Sequence, residues 1–299
     1  MRRSLLHMLA DHYPGARLVS TRRLRGGLAA QTHAARIELA SGARTTLVVR
    51  RKANGAWRIP RHFRTLEVLA ESNVPAPTPV LLDVNGQYFD VPTMIIEHAG
   101  YPLLRPQDQG TWVEQMARAL HKVHGVTPEN ADLAYLLEPP PGVAPDPPGR
   151  GEPDPLIERV RAAMRRFEGE FYPLPPTLVH DDFWPGNTVW LRQQLTAVID
   201  WDGAKVGDRQ IDVAQCRLDL TFVAGEQAAA DFLRDYEALH GGPLHDLWYF
   251  DLACFERGHG WFERWHDGYA DIGINWTSPE EMVAAGREFA ARALAAAPR

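Results

Sequence analysis

The sequence predicts an α+β fold in two parts: a small lobe built on an antiparallel sheet, then a larger, mostly helical lobe. Three observations predict it. Short runs rich in Val, Thr, Ile and Leu, separated by turn residues, fill the first hundred positions. Most of the remaining chain places its apolar residues at helical spacing instead. The third is size: 299 residues suffice for one large domain or two ordinary ones, and 45% hydrophobic with 23% charged residues is the balance of a globular protein.

The elements follow in order. ARLVSTRRL, AARIELAS and ARTTLVVRR read as strands, with Gly26-Gly27 and Ser41-Gly42 as the turns between them. Residues 60–72 switch to helical period, with Phe63, Leu66, Leu69 and Ala70 on one side and Pro60 at the start. Pro75, Pro77 and Pro79 stop that helix. VLLDVNGQYFDVPTMIIE reads as a hairpin turning at Asn85-Gly86. Five strands and one helix therefore precede residue 97, and the lobes are expected to be 1–97 and 98–299. In the second lobe a helix covers 108–124, with Trp112, Met116, Ala119, Leu120 and Val123 inward. Residues 138–155 are so rich in proline and glycine that they read as a loop. A helix follows near 155–170, then the short strands TLVH, NTVWL and TAVID, and then helices over 210–240, 243–265 and 278–297.

Composition removes several classes. No apolar run approaches the length of about 18 residues that a membrane helix needs. The start, MRRSLLHMLADHY, has an apolar stretch broken by His7 and Asp11 and does not read as a signal peptide. Two cysteines, Cys216 and Cys254, make no disulfide framework and suit a reducing interior, so a cytoplasmic location is expected. With 38 acidic against 32 basic residues, a net charge of −6 does not suit a nucleic-acid backbone as partner.

The chemistry concentrates in Leu178-Val-His-Asp-Asp-Phe-Trp-Pro-Gly-Asn-Thr-Val-Trp190, a polar loop between two apolar strands. It spells H-x-D-x-x-x-x-N with His180, Asp182 and Asn187. Thirteen residues after Asn187, the apolar stretch Ala197-Val-Ile ends in Asp200. Phosphoryl transfer asks a protein for a carboxylate that orients and deprotonates a hydroxyl, and for oxygen ligands that hold Mg2+ on the phosphates. Asp182 suits the first task; Asn187 and Asp200 suit the second.

On these residues the chain resembles the aminoglycoside phosphotransferase and choline kinase family, whose fold is similar to that of protein kinases. The family loop usually reads H-G-D-x-x-P-G-N; here it is His180-Asp-Asp-Phe-Trp-Pro-Gly-Asn187. The second family motif matches Ile199-Asp-Trp-Asp-Gly-Ala-Lys-Val-Gly-Asp-Arg-Gln-Ile-Asp-Val-Ala214. The resemblance covers about residues 20–220. It implies a two-lobed protein-kinase-like fold and Mg-dependent transfer of the γ-phosphoryl group of ATP or GTP to a hydroxyl of a small molecule: an aminoglycoside, a choline-like compound, a sugar or an amino-alcohol. Asp182 is then the base, and Asn187 and Asp200 hold the metal. Gly26 and Gly27 fall where the family has its phosphate loop. Alternation along Thr46-Leu-Val-Val-Arg50-Arg51 does not choose between the two arginines; the family pattern favours Arg50 as the phosphate contact. Backbone groups of Glu97 and Ala99 would meet the purine. His180 is expected to brace the loop, Asp212 to tie the following helix to it, and His124 to be a packed structural histidine. Asp202 and Asp208 suit either the metal site or turn caps.

One departure stands out. The family helix carries a Glu that pairs with the strand cation, and this chain has His62 at that position, in Arg61-His62-Phe63. Glu67, five residues on, points to another side of the helix. Either the ion pair is absent or its acid comes from elsewhere. His62 is also the feature that favours the competing function, a catalytically inactive kinase-like nucleotide-binding or scaffold protein. Two further groupings are weaker. His259, Glu263 and His266 share one helical face but lack a fourth ligand, and Gly258 and Gly260 weaken that helix. Trp261, Phe262 and Trp265, with Asp251, Glu256, Asp267 and Asp271, could line an acceptor pocket or simply pack the last helices.

Overall fold

A computed structural model describes residues 1–24, 31–52, 56–137, 154–167 and 174–298. Gly26 and Gly27, and nearly all of the proline-rich stretch 138–155, lie outside the described residues. The chain divides into two compact units. The first is Met1–Gly100 together with Thr196–Asp202; the second is Tyr101–Leu195 together with Gly203–Arg299.

The first unit is a five-stranded antiparallel sheet, β1 (Arg17–Arg23), β2 (Gln31–Glu38), β3 (Arg44–Arg51), β4 (Pro79–Asp83) and β5 (Thr93–Glu97), in the order β1-β2-β3-β5-β4. Period-2 alternation gives the sheet two apolar faces. Leu47 and Val49 of β3 and Ile95 of β5 pack with Leu5, Met8 and Leu9 of helix α1 (Arg2–His12). Met94 of β5 packs instead with Ile59 and Phe63 of helix α2 (Arg58–Ala70). In register, Arg50 stands opposite Met94 and Val49 opposite Ile95. Arg50 therefore lies on the α2 face and Arg51 on the α1 face, where its guanidinium donates to the Phe89 carbonyl at 2.7 Å.

Two expectations change here. Residues 2–12 form a helix that the sequence reading did not assign. The β4–β5 connection is not a two-residue turn at Asn85-Gly86: residues 84–92 form a longer loop around buried Asp83, whose carboxylate accepts the backbone N–H groups of Gln87, Tyr88 and Phe89. A carboxylate satisfied by three backbone donors fixes a loop that would otherwise leave those donors buried without partners.

The second unit is mostly helical: α3 (Gln109–Val123), α4 (Pro155–Arg166), α5 (Gln210–Ala224), α6 (Glu226–His240), α7 (Leu247–Gly258), α8 (Phe262–Asp271) and α9 (Pro279–Ala296). Asp108 and Asp154 cap α3 and α4, and Ser278 with Glu281 forms a capping box at α9. The inward face of α3 is the expected one, with Trp112, Met116, Ala119, Leu120 and Val123 all buried. The stretch 210–240 is two helices, because Gly225 takes φ 88°, a left-handed value open to glycine. The stretch 243–265 likewise breaks between α7 and α8, with Gly260 at φ 80°. Short strands complete the unit: β6 (Tyr101–Pro102) pairs with β8 (Thr188–Leu191), and β7 (Thr177–Val179) pairs with β10 (Lys205–Gly207). Strand β9 (Gln194–Val198) carries the chain from the second unit back into the first. Among the described residues, no helix is long and apolar enough to cross a membrane.

Candidate active site

In the first unit the returning segment is fastened to the sheet lobe by one main-chain bond and one side-chain bond. Val198 N–H donates to the Pro75 carbonyl at 2.8 Å, and the Thr196 hydroxyl donates to the Ala99 carbonyl. This brings Asp200 and Asp202 to the α2 face of β3. Arg50 Nη2 lies 2.8 Å from Asp200 Oδ1 and 3.0 Å from Asp202 Oδ2. Lys52, two residues on from Arg50 and just past the end of β3, places Nζ 2.8 Å from Asp202 Oδ2. His62 Nδ1 is 2.9 Å from Asp202 Oδ1. Asp200 has φ 65°, in the left-handed region, a backbone strain that recurs at functional positions.

The electrostatics follow from burial and these partners. Burial pushes the Asp200 carboxyl up, but Arg50 beside it outweighs that and holds it below the ordinary value. The same competition leaves Asp202 well below the carboxylate range, with His62 and Arg50 overcoming burial. Burial lowers His62, so the ring is neutral, with its proton on the nitrogen that faces Asp202. His62, Asp200 and Asp202 bring possible ligand atoms within 4.8 Å of one another. Both Asp202 oxygens nevertheless face hydrogen-bond donors, two of them cationic, so this grouping is an ion-pair network.

In the second unit the polar loop is held from below by Asp212, a fully buried carboxylate in the first turn of α5. It accepts the backbone N–H groups of His180 and Asp181, each at 2.7 Å, and faces His124 Nε2 at 3.1 Å. His124 Nδ1 lies 2.6 Å from the Tyr236 hydroxyl. Burial lowers His124 and raises Tyr236, so the neutral ring donates to Asp212 and accepts from the phenol. Asp212 stays ionised: burial opposes this, but the His124 and His180 interactions prevail.

Above that clamp, Asn187 Nδ2 donates to both the main-chain carbonyl and the carboxylate Oδ2 of Asp182, each at 2.8 Å. Asp182 N–H donates to His180 Nδ1 at 3.3 Å. Asp181 occupies φ 65°, which explains why glycine is usual at this place in the resembling loop; aspartate is one of the few other residues that tolerate it. Its side chain meets Lys205 Nζ at 2.8 Å and Arg257 Nη1 at 3.1 Å. A side chain on Gly186 would force the Trp184 ring to move, because a Cβ there would fall 2.3 Å from it. That ring stacks on Tyr269 with centroids 4.8 Å apart.

The structure thus joins Arg50 with Asp200 in one unit and Asp182 with Asn187 in the other. In the segment 97–99, expected from the sequence to meet a purine, Glu97 N–H is taken by the Thr78 carbonyl and His98 N–H by the Thr46 carbonyl. Asp208 closes a turn ahead of α5 by accepting the N–H of Gln210, and it also accepts from Leu174 N–H. Asp202 is an ion-pair partner and not a turn cap. The acid missing from α2 comes from the segment after β9. Sequence reasoning missed Lys52, Lys205 and Arg257. Lys52 had a signal, its period-2 spacing from Arg50; the other two had none. The His259, Glu263 and His266 face does not form: His259 ends α7, the other two lie on α8, and His266 Nε2 faces the Thr277 carbonyl. The aromatic-acidic pocket does not assemble as a set either. Phe262 is core, Asp251 pairs with Arg217, Glu256 pairs with Arg161, and Asp267 and Asp271 are exposed.

Taken singly, Asn187 and Asp200 are each of a chemistry that would suit the magnesium that the resemblance implies. Both candidates offer oxygen, which a hard cation prefers. Asn187 uses its amide protons on Asp182, which would leave its Oδ1 for a cation, and Asp200 meets Arg50 through Oδ1.

A carboxylate network in the same unit adds a pH dependence. Asp219 of α5, buried, accepts from Tyr269 and from Gln215. Burial pushes it up to about 6 from an ordinary 3.8. A folded-state value above the unfolded one means that the native state binds the extra proton between those values. Stability is therefore fully present below pH 4 and is lost as pH rises through about 6. Asp219→Asn removes the ionisation, and Tyr269 can turn its hydroxyl to accept from the new amide. The variant should gain roughly 1–3 kcal/mol on wild type between pH 4.5 and 8. Melting temperatures of the two proteins across that range check this; parallel curves would contradict it.

Comparison with known proteins follows the same lines. A thermostable variant of aminoglycoside phosphotransferase APH(4)-Ia, crystallised with ADP and hygromycin B, is 17% identical with a TM-score of 0.63, covering 98% of both chains. Choline kinase LicA from Streptococcus pneumoniae is 17% identical with a TM-score of 0.59, covering 99% of both. These likenesses show a shared fold, the two-lobed kinase-like one. A curated relative, acyl-CoA dehydrogenase family member 10 of Mus musculus, is 23% identical over 254 residues, 74% of this chain; the match spans only 22% of that protein's length. The model of the phosphotransferase enzyme family matches residues 22–246, a stretch that begins at the end of β1 and takes in both carboxylate-bearing motifs. Three quarters of the sequence therefore carries the family's pattern, and the chain belongs to the phosphotransferase enzyme family.

Proposed function

We propose that this protein transfers the γ-phosphoryl group of ATP or GTP to a hydroxyl of a small polar molecule, with Asp182 as the base. The observation that carries the reading is the double fixing of Asp182. Asn187 holds one carboxylate oxygen and His180 holds its N–H, in a loop clamped by buried Asp212. A base held this way needs little reorganisation when the acceptor hydroxyl arrives. Residues 1–97 act as the nucleotide lobe and 98–299 as the catalytic and acceptor lobe. Arg50 contacts the phosphates, Gly26 and Gly27 lend backbone N–H groups to them, and the main chain of Glu97 and Ala99 meets the purine. Asn187 and Asp200 would hold Mg2+, which when bound neutralises charge on the transferring phosphate. The ADP complex of APH(4)-Ia supports a nucleotide donor here, and its bound hygromycin B supports a small hydroxylated acceptor.

Asp182 accepts the hydroxyl proton as the acceptor oxygen forms its bond to the γ-phosphorus and the bond to the nucleotide diphosphate breaks. Aminoglycosides, choline-like compounds, sugars and amino-alcohols are the acceptors to test. A panel of these with ATP or GTP and Mg2+, read by nucleotide diphosphate release, should show acceptor-dependent turnover with at least one class. Nucleotide binding by thermal shift, with no acceptor-dependent turnover across the panel, would return the chain to the inactive nucleotide-binding reading.

A further inference from the structure

Within the first unit, one carboxylate gathers side chains from two elements. Asp202 Oδ2 faces Arg50 of β3 at 3.0 Å and Lys52, just past the end of β3, at 2.8 Å, while Oδ1 faces His62 of α2 at 2.9 Å. The main-chain carbonyl of Asp202 accepts from Arg58 Nη1 at 3.2 Å, a second tie to α2. Arg50 and Lys52 have side chains only 12% and 8% exposed, and His62 only 2%. Charges that deep in a protein need a fixed partner, and a partner that is lost leaves the other charge buried and unpaired. Asp200 also touches Arg50, but it is a proposed metal ligand, which leaves Asp202 as the acid whose task is to hold the cations.

We infer that Asp202 is the positioning residue for the phosphate-binding side chains, with His62 as the donor that fixes Asp202. The carboxylate that orients Arg50 has moved from helix α2 to the segment after β9, and the histidine on α2 is the counterpart of that move. Lys52 is held by the same oxygen and becomes a second cation presented with Arg50. The inference rests on the phosphotransfer reading for what these cations hold. It makes His62 part of a working site, although at first sight His62 is the sign of a decayed one.

The arrangement predicts a charge relocation. A glutamate at position 62 would bring its oxygens against Asp202 Oδ1, and two carboxylates in one buried place repel. His62→Glu alone should therefore fail, Asp202→Asn alone should fail, and the two together should restore one acid among the same cations. His62→Asn keeps an N–H donor where ring Nδ1 stands and should lose less nucleotide affinity than His62→Glu.

The test measures affinity for Mg2+ with a non-hydrolysable ATP analogue by calorimetry, together with nucleotide KM, acceptor KM and kcat, on folded variants. Each failing single variant should lose roughly tenfold or more in nucleotide affinity with acceptor KM unchanged, and the double variant should return to within about threefold of wild type. A merely structural role would lower Tm without that split in KM. Wild-type nucleotide affinity in Asp202→Asn overturns the inference, as does a double variant whose loss is the product of the two singles. If Asp202→Asn does not fold, a folded double variant that binds nucleotide still supports the relocation, and one that does not fold or bind overturns it. Failure of the wild-type chain to bind nucleotide at all would strike the phosphotransfer reading itself, a result separate from any difference among the variants.

Discussion

Asp182→Asn should lower turnover roughly 10²–10⁴-fold, the usual contribution of a general base, with nucleotide affinity little changed. The substitution keeps the size of the side chain, and its amide oxygen can still accept the Asn187 N–H that now meets Asp182 Oδ2 at 2.8 Å. The His180 contact is to the main-chain N–H and is untouched. What is lost is the proton acceptor. Asp181 is the control, because it is the adjacent carboxylate and its geometry is different in kind: Lys205 and Arg257 neutralise it and its backbone is left-handed. Steady-state kinetics on both variants decide between them. Near-wild-type turnover in Asp182→Asn with loss in Asp181→Asn would move the base by one residue.

Asp200→Ala should abolish the dependence of nucleotide binding on Mg2+ and lower turnover by at least roughly 10²-fold. Arg50 keeps Asp202 as a partner 3.0 Å away when Asp200 is removed, so its buried charge is not left alone and the variant should remain folded. Strand β9 and its bond to Pro75 do not involve the Asp200 side chain. Binding of Mg·ATP and of metal-free ATP, compared by calorimetry, reads the effect. Wild type should bind the magnesium complex more tightly and the variant should treat the two alike. An unchanged preference for the magnesium complex in folded Asp200→Ala would remove Asp200 from the metal site.

How much of this was legible depends on how local each interaction is. The H-x-D-x-x-x-x-N loop could be read because all three side chains lie within eight consecutive residues, and loop geometry forces them together. The network of Arg50, Lys52, His62 and Asp202 could not, since its members are separated by up to 152 residues and only the tertiary fold brings them to one oxygen. Strand alternation left Arg50 and Arg51 equal, and the pairing of β3 with β5 separates them by putting Arg50 opposite Met94. Helix α1 carried an apolar stripe in Leu5, Met8 and Leu9 but has no side-chain cap, and its stability comes from packing against a sheet that the sequence does not display. Gly225 was hidden inside an otherwise continuous helical pattern, where a single glycine is tolerated at a modest cost and so does not by itself mark a break. The return of Thr196–Asp202 to the first unit rests on bonds to Pro75 and Ala99, about a hundred residues away, and no local signal marks it.

The central claim is that a phosphoryl group leaves a nucleotide and arrives on a hydroxyl of a small molecule. The most direct measurement is the mass spectrum of the acceptor after incubation with wild-type protein, Mg2+ and ATP labelled in the γ-phosphoryl group, with Asp182→Asn run in parallel. Transfer as argued here predicts an acceptor that gains one labelled phosphoryl group on a hydroxyl with wild type and gains essentially none with the variant. Label found only in inorganic phosphate, or an acceptor phosphorylated equally by both proteins, would contradict it.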